Sequence, residues 1–208
     1  TNTLAYSGAG FANPDAMTSM GQYTFLFDNA GNMTNQNGVS TSSYAYDWQQ
    51  RMSSSTVPGP SEYYRYDHDG SRVYYATGTQ AIPKLFWGKH YDTWQTKKQK
   101  HLFVGTQLVA TIETIGSTKT PNYILSDHLG GTTLVTSSAG TITQNNDYYP
   151  FGDVRTNTKT GAFEERKKFT GHTYDNETDL NYMGARYQRG FYGRFLSQDP
   201  VANQIADS

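Results

Sequence analysis

The side chains that could do chemistry in this chain are few in kind. There is no cysteine, which removes both thiol catalysis and a disulfide framework. The five histidines, His68, His90, His101, His128 and His172, lie scattered, without the close pairing that metal-binding helices provide. Asp67-His68-Asp69-Gly70 opens like a calcium loop, but Gly78 stands at the twelfth position, where a bidentate Glu belongs, so the segment reads as a turn. His128 is expected to order the turn after Asp127 through hydrogen bonds. Ser and Thr abound, yet no Gly-x-Ser-x-Gly element and no phosphate-cradling loop accompanies them. Asn32-Met33-Thr34 and Asn176-Glu177-Thr178 fit the glycosylation sequon, which matters only in a eukaryotic secretory setting. No metal or cofactor is expected. What remains is a series of aspartates: Asp28, Asp47, Asp67, Asp127, Asp147 and Asp199.

The elements that must carry these residues are strands. Among 208 residues 17 are Tyr and 20 are Gly, with abundant Thr, Ser and Asn. Tyr and Thr suit a pleated, half-wet surface, while Gly and Asn suit tight reversals. Lys plus Arg number 17 against 18 Asp plus Glu, so no strong field exists to gather nucleic acid or an anionic membrane. No apolar run approaches the roughly 20 residues of a spanning helix. The stretch from Thr1 to Gly10 has no signal-peptide pattern.

Asp28, Asp47 and Asp67 are spaced 19 and then 20 residues apart, each after an aromatic residue and before turn residues. Alternating stretches flank them: Tyr23-Thr24-Phe25-Leu26-Phe27, Tyr44-Ala45-Tyr46 and Arg72-Val73-Tyr74-Tyr75. Period-two alternation puts aromatics on one strand face, and Asp followed by Gly31 or Gly70 supplies a corner that tolerates left-handed backbone. The pattern resumes at Asp127 with Gly130, and at Asp147, again 20 residues on, with Gly152. A fixed period of this size implies one hairpin per repeat, each stacked on the next. The polar stretches His90–Lys100 and Thr156–Lys168 read as outer loops or hairpin extensions, and Val57-Pro58-Gly59-Pro60 as a loop or edge. Helix should be sparse, with Gly161–Lys167 as the best short candidate.

Four blocks now become specific: Asp127-His128-Leu129-Gly130, Asp147 to Arg155, Phe169 to Tyr187, and Gly193-Arg194-Phe195-Leu196-Ser197-Gln198-Asp199-Pro200. In this order they resemble the RHS repeat-associated core domain of RHS/YD-repeat proteins, with Gly171, Arg186, Tyr187, Gly193, Arg194, Phe195, Asp199 and Pro200 at its motif positions. The resemblance implies an all-β fold: antiparallel hairpins in a curved, spiralling sheet, closed by a C-terminal plug. It divides the chain into a lead-in (1–20), a YD-repeat sheet (21–155), a core or plug (156–200) and a tail (201–208). In such proteins the sheet forms a hollow shell around a variable C-terminal effector. Only eight residues follow Pro200 here, so no toxin domain is expected in this chain.

Toxin-bearing members of the family often release that effector by aspartyl-protease-like self-cleavage, which needs two carboxylates sharing a proton. The resemblance places one in an Arg-Tyr-Tyr-Asp-Pro element and the other in the terminal Asp-Pro. Here Arg186-Tyr187 is followed by Gln188-Arg189-Gly190, so Arg189 takes the first aspartate's place and Asp199 is the one retained candidate. A guanidinium beside a lone carboxylate favours its charged form, the wrong direction for a shared proton. The expectation is a structural shell segment that is not an enzyme, secreted or on a bacterial cell surface. Its partners would be the remainder of a larger shell or identical copies joining at open sheet edges. Two alternatives stay open: an adhesin or self-assembling fibre module that meets a protein or glycan on a target cell, and a residual aspartyl autoprotease.

Overall fold

The computed structural model describes residues 3–8, 15–78 and 82–199. The recurring corner explains why strands form where they do. Asp28, Asp47, Asp67 and Asp127 each open a five-residue reversal. The Asp N–H donates to the carbonyl four residues on, and the N–H three residues on donates back to the Asp carbonyl. In all four, Oδ1 also accepts the N–H groups two and four residues ahead, at 2.8–3.0 Å. The fourth residue must take positive φ: 80° at Gly31, 81° at Gly70, 83° at Gly130, and 62° at Gln50, where no glycine is present.

The first strands are β1 (Leu4–Tyr6), β2 (Met17–Met20), β3 (Tyr23–Phe27), β4 (Met33–Asn37), β5 (Ser42–Tyr46), β6 (Met52–Thr56), β7 (Glu62–Tyr66) and β8 (Arg72–Thr77), with the first three corners joining β3 to β4, β5 to β6 and β7 to β8. The run continues through β9 (Lys84–Phe86), β10 (Tyr91–Trp94), β11 (Lys97–Val104), β12 (Gln107–Ile115), β13 (Thr118–Ser126), β14 (Thr132–Thr136), β15 (Ile142–Tyr148) and β16 (Val154–Lys159). Each strand pairs antiparallel with its neighbour in the chain, giving one open 16-stranded sheet in sequence order, the wall. A register shift recurs just before the corners, between Leu26 and Phe27, Ala45 and Tyr46, Arg65 and Tyr66, and Leu125 and Ser126. Such bulges bend and twist the strand at the same point in each of these four hairpins.

A second sheet of four short strands, β17 (Thr173–Asp175), β18 (Leu180–Tyr182), β19 (Tyr187–Arg189) and β20 (Arg194–Phe195), forms a cap. Leu180, Tyr187 and Leu196 of the cap share one core with Met17, Met20, Phe25, Met33, Tyr44, Met52, Tyr64 and Tyr75 of the wall. A smaller core, Leu108, Ile124 and Val135 with Phe103 and Phe163, lies further along.

The all-β antiparallel architecture agrees with the sequence. The helix expected over Gly161–Lys167 is absent. That segment runs extended because the wall supplies its partners: the Glu165 N–H donates to Gln144, and the Lys168 carbonyl accepts from Thr132. Among the described residues the single helical turn is a 3-10 turn at Phe169–Gly171. Within His90–Lys100 the chain forms the β10–β11 hairpin, the second of the two forms expected there. The wall begins as early as Leu4, inside the stretch expected as a lead-in.

Candidate functional site: the join between wall and cap

The chain's most concentrated chemistry lies where the cap meets the wall. At the first position of each returning strand the wall places a buried residue: Met33, Met52, and then Arg72, whose side chain is 1% exposed. The Arg72 guanidinium meets the Asp175 carboxylate, 2% exposed, through both oxygens, at 2.5 and 3.1 Å. Tyr187 Oη lies 3.1 Å from Nη1, and the Arg72 N–H donates to Tyr182 Oη at 2.9 Å. Around the guanidinium stand the rings of Tyr182 at 4.5 Å and Phe86 at 4.8 Å, with Tyr64, Tyr75 and Tyr187 just beyond. Burial alone would lower the Arg72 pKa, but the charge and hydrogen bonds of Asp175, together with the neighbouring phenols of Tyr187 and Tyr64, outweigh it and hold the guanidinium well above its ordinary value. Burial pushes the Tyr187 phenol far up, so it stays uncharged while its oxygen accepts from Arg72.

The YD tyrosines fasten the repeats in the same way. Tyr46 Oη donates to the Met33 carbonyl, Tyr66 Oη to Met52 and Tyr148 Oη to Thr132. Tyr46 Oη also reaches the Leu196 carbonyl in the cap, and the Met33 N–H donates to that same carbonyl. Arg51 ties its own corner to the next, bonding Asp47 and the Asp67 carbonyl.

The other flagged positions fall as follows. Asp147 is not at a corner; it lies in β15, paired with Arg155, and the reversal there runs from Tyr149 to Asp153 with Gly152 at φ 84°. His128 is exposed, and Asp127 supplies the hydrogen bonds assigned to it above. Gly171, at φ 74°, passes close to the Gly130 carbonyl, and Gly193 lies against the Phe151 ring. Arg194 donates to Tyr6 Oη, tying the cap to β1. The expected neighbour of Asp199 was Arg189, but Arg189 turns to the Thr178 carbonyl and Asp179, while Arg186 takes Asp199 at 2.8 Å and lies over Phe195. Pro200 lies outside the described residues. The sequon residue Asn32 is buried and bonded to Asp28.

A second buried cluster went unnoticed in the sequence. On the inner face of β9–β12, Asp92 Oδ2 takes both Lys84 Nζ and His101 Nε2 at 3.1 Å. His101 Nδ1 lies 2.9 Å from Thr111 Oγ1, which donates to Glu165 at 2.5 Å. Burial would raise the Asp92 pKa, but the His101 hydrogen bond and the Lys84 charge hold it well below the usual carboxylate range. Glu164 is held at about 2 by Lys159 and Lys168 against the same burial. Among the described residues, no three His, Cys, Asp or Glu groups converge as a metal site.

No family profile matches the chain. It is 30% identical over 199 residues to the tRNA3(Ser)-specific nuclease WapA of Bacillus spizizenii, covering 92% of this chain and 8% of that protein. It is likewise 30% identical over 211 residues to the tRNA nuclease WapA of Bacillus subtilis strain 168, covering 96% and 9%. The chain thus spans less than a tenth of the length of these relatives. Its fold matches the crystal structure of TcdB2-TccC3 without the hypervariable C-terminal region, with TM-score 0.64 at 16% identity, over 86% of this chain and 12% of that one. The Tc holotoxin pore of Photorhabdus luminescens matches with TM-score 0.58 over the same shares.

Proposed function

Starting from its likeness to the WapA nucleases and to the Tc toxin fold, we propose that this chain is a structural wall segment of an RHS-type β-shell. The observation that carries this reading is the unbroken order of 16 antiparallel strands, one hairpin after another, with a small sheet fastened across its inner face. Such a surface encloses or presents another polypeptide; the effector's chemistry belongs to the effector. The relatives' nuclease activity belongs to proteins more than ten times this length and is not assigned to this chain. Action outside the bacterial cell, secreted or at its surface, is part of the same reading. No helix among the described residues is long and apolar enough to cross a membrane.

A wall segment joins its neighbours by strand pairing. Among the described residues β1 and β16 each pair on one side only, so both present backbone donors and acceptors. Light scattering and electron microscopy of the purified chain test this. Edge-to-edge rings, hollow particles or filaments that dissociate in Leu4→Pro are expected. Monomers at every concentration, or assemblies indifferent to that substitution, contradict it.

Self-cleavage by a paired-aspartate mechanism is not part of the proposal, because Asp199 faces Arg186 and the place of the first aspartate is held by Arg189. Intact mass after long incubation stays constant on this reading. A truncated product that disappears in Asp199→Asn contradicts it.

A further inference from the structure

Beside the His101 cluster, between the inner face of β9–β12 and the crossing segment 159–166, lies a cavity of about 240 Å³. Asp92 lines it, and its bonds to Lys84 and His101 both use Oδ2. Oδ1 has no partner among the described residues, although Asp92 is only 4% exposed. A buried carboxylate oxygen without a donor is costly, so this atom calls for a donor from the cavity side. The opposite wall is loosely engaged: Lys97 Nζ lies 3.7 Å and Gln99 Nε2 3.4 Å from the same Glu113 oxygen, so both donors can turn toward a guest. Trp94, half-buried, adds a flat apolar surface.

The charges decide the class of guest. Four cations (Lys84, Lys97, Lys159, Arg166) and three carboxylates (Asp92, Glu113, Glu164) line the space. An anion entering would face the orphan Asp92 oxygen, and a cation would face four positive groups. A neutral molecule that carries donor and acceptor on the same atoms, over a flat hydrocarbon face, meets neither penalty. Hydroxyls around a pyranose ring have this character. The volume lies below that of drug-sized sites and suits one such ring.

We propose that this cavity binds an uncharged saccharide, with one pyranose ring on Trp94, a ring hydroxyl donating to Asp92 Oδ1, and other hydroxyls bonded by Gln99 and Lys97. Sugar binding here neither requires nor implies containment of an effector.

Trp94 is its own reporter. The other two tryptophans, Trp48 and Trp87, are 83% and 62% exposed and can be replaced by Phe. Titration of that double variant with methyl glycosides of glucose, galactose, mannose and N-acetylglucosamine, followed by fluorescence, is the test, with glucuronate and glucosamine as charged counterparts. At least one neutral glycoside should give a saturable change with a midpoint on the order of millimolar, weakened tenfold or more by Gln99→Ala and by Asp92→Asn. Gln99 contributes nothing to the cores, so its variant reads binding apart from folding. No saturation with any neutral sugar, tighter binding of a charged one, or indifference to Gln99→Ala overturns the proposal.

Discussion

The same wall is covered in two ways, and its inner face differs accordingly. From β2 to β8 the cover is a folded sheet with its own apolar side, and the wall answers chiefly with Met17, Phe25, Met33, Tyr44, Met52 and Tyr64, among which sit the Arg72–Asp175 ion pair and the buried polar residues Gln36, Ser42, Ser55 and Glu62. From β9 to β15 much of the cover is the extended segment 160–168, which brings backbone groups, Glu165 and Lys168 instead. There the wall answers with Asp92, His101, Thr111, Asn122, Gln144 and Asn146, all buried. An extended segment cannot satisfy its own peptide groups, so the wall beneath it must offer polar partners, beside the small apolar patch that Phe163 covers. A paired sheet has no such demand.

The comparison breaks most sharply at Arg72. Arg72→Met restores the residue type of Met33 and Met52 but strands Asp175, and urea unfolding should show a loss of about 3–5 kcal/mol. Adding Asp175→Leu should recover most of it, since both charges are then gone. If the single variant costs as little as the pair, the ion pair is not what fastens the cap.

In the polar half, Thr111→Val severs His101 from Glu165 without changing shape, and about 1–3 kcal/mol should go. Hydrogen exchange should place that loss in β10–β12 and not in β3–β8. Acid should separate the halves too. Asp92 and Glu164 are held below their ordinary values, so the stability they contribute is present above about pH 4.5. It drains away as pH falls through the depressed values, Glu164's lying at about 2. Exchange at pH 3 against pH 6 should loosen β9–β12 and the 160–168 segment first, and equal loosening of the aromatic half would contradict the assignment.

The smallest effect belongs to the corners. Gly70 has open space around its missing side chain, so Gly70→Ala should cost only the backbone strain of positive φ, roughly 1–2 kcal/mol. Gly152→Ala, which would also strike the Phe169 ring, should cost more.

What the sequence made legible follows this division. Corners were readable because Asp and Gly act within five residues, and four of the flagged aspartates share one geometry. Asp147 misled because the corner slid two residues on, where Pro150 and Gly152 set the reversal. The Gly161–Lys167 helix failed because local propensity yields to partners offered by the wall. Arg72 and Asp175 are 103 residues apart, beyond any local pattern, yet the hint stood in the repeat itself: a charge where Met33 and Met52 predict an apolar residue. The Asp92–His101–Thr111–Glu165 chain draws on three strands and a crossing segment, and only the fold assembles it.

That cap and wall form one unit, fastened by Arg72 and Asp175, is tested most directly by native-state hydrogen exchange of the intact chain and of Arg72→Met. The account predicts that amides of β17–β19 open together with those of β3–β8 in the intact chain, and that the cap opens first in the variant. A cap that exchanges independently of the wall in the intact chain, with the variant unchanged, would contradict it.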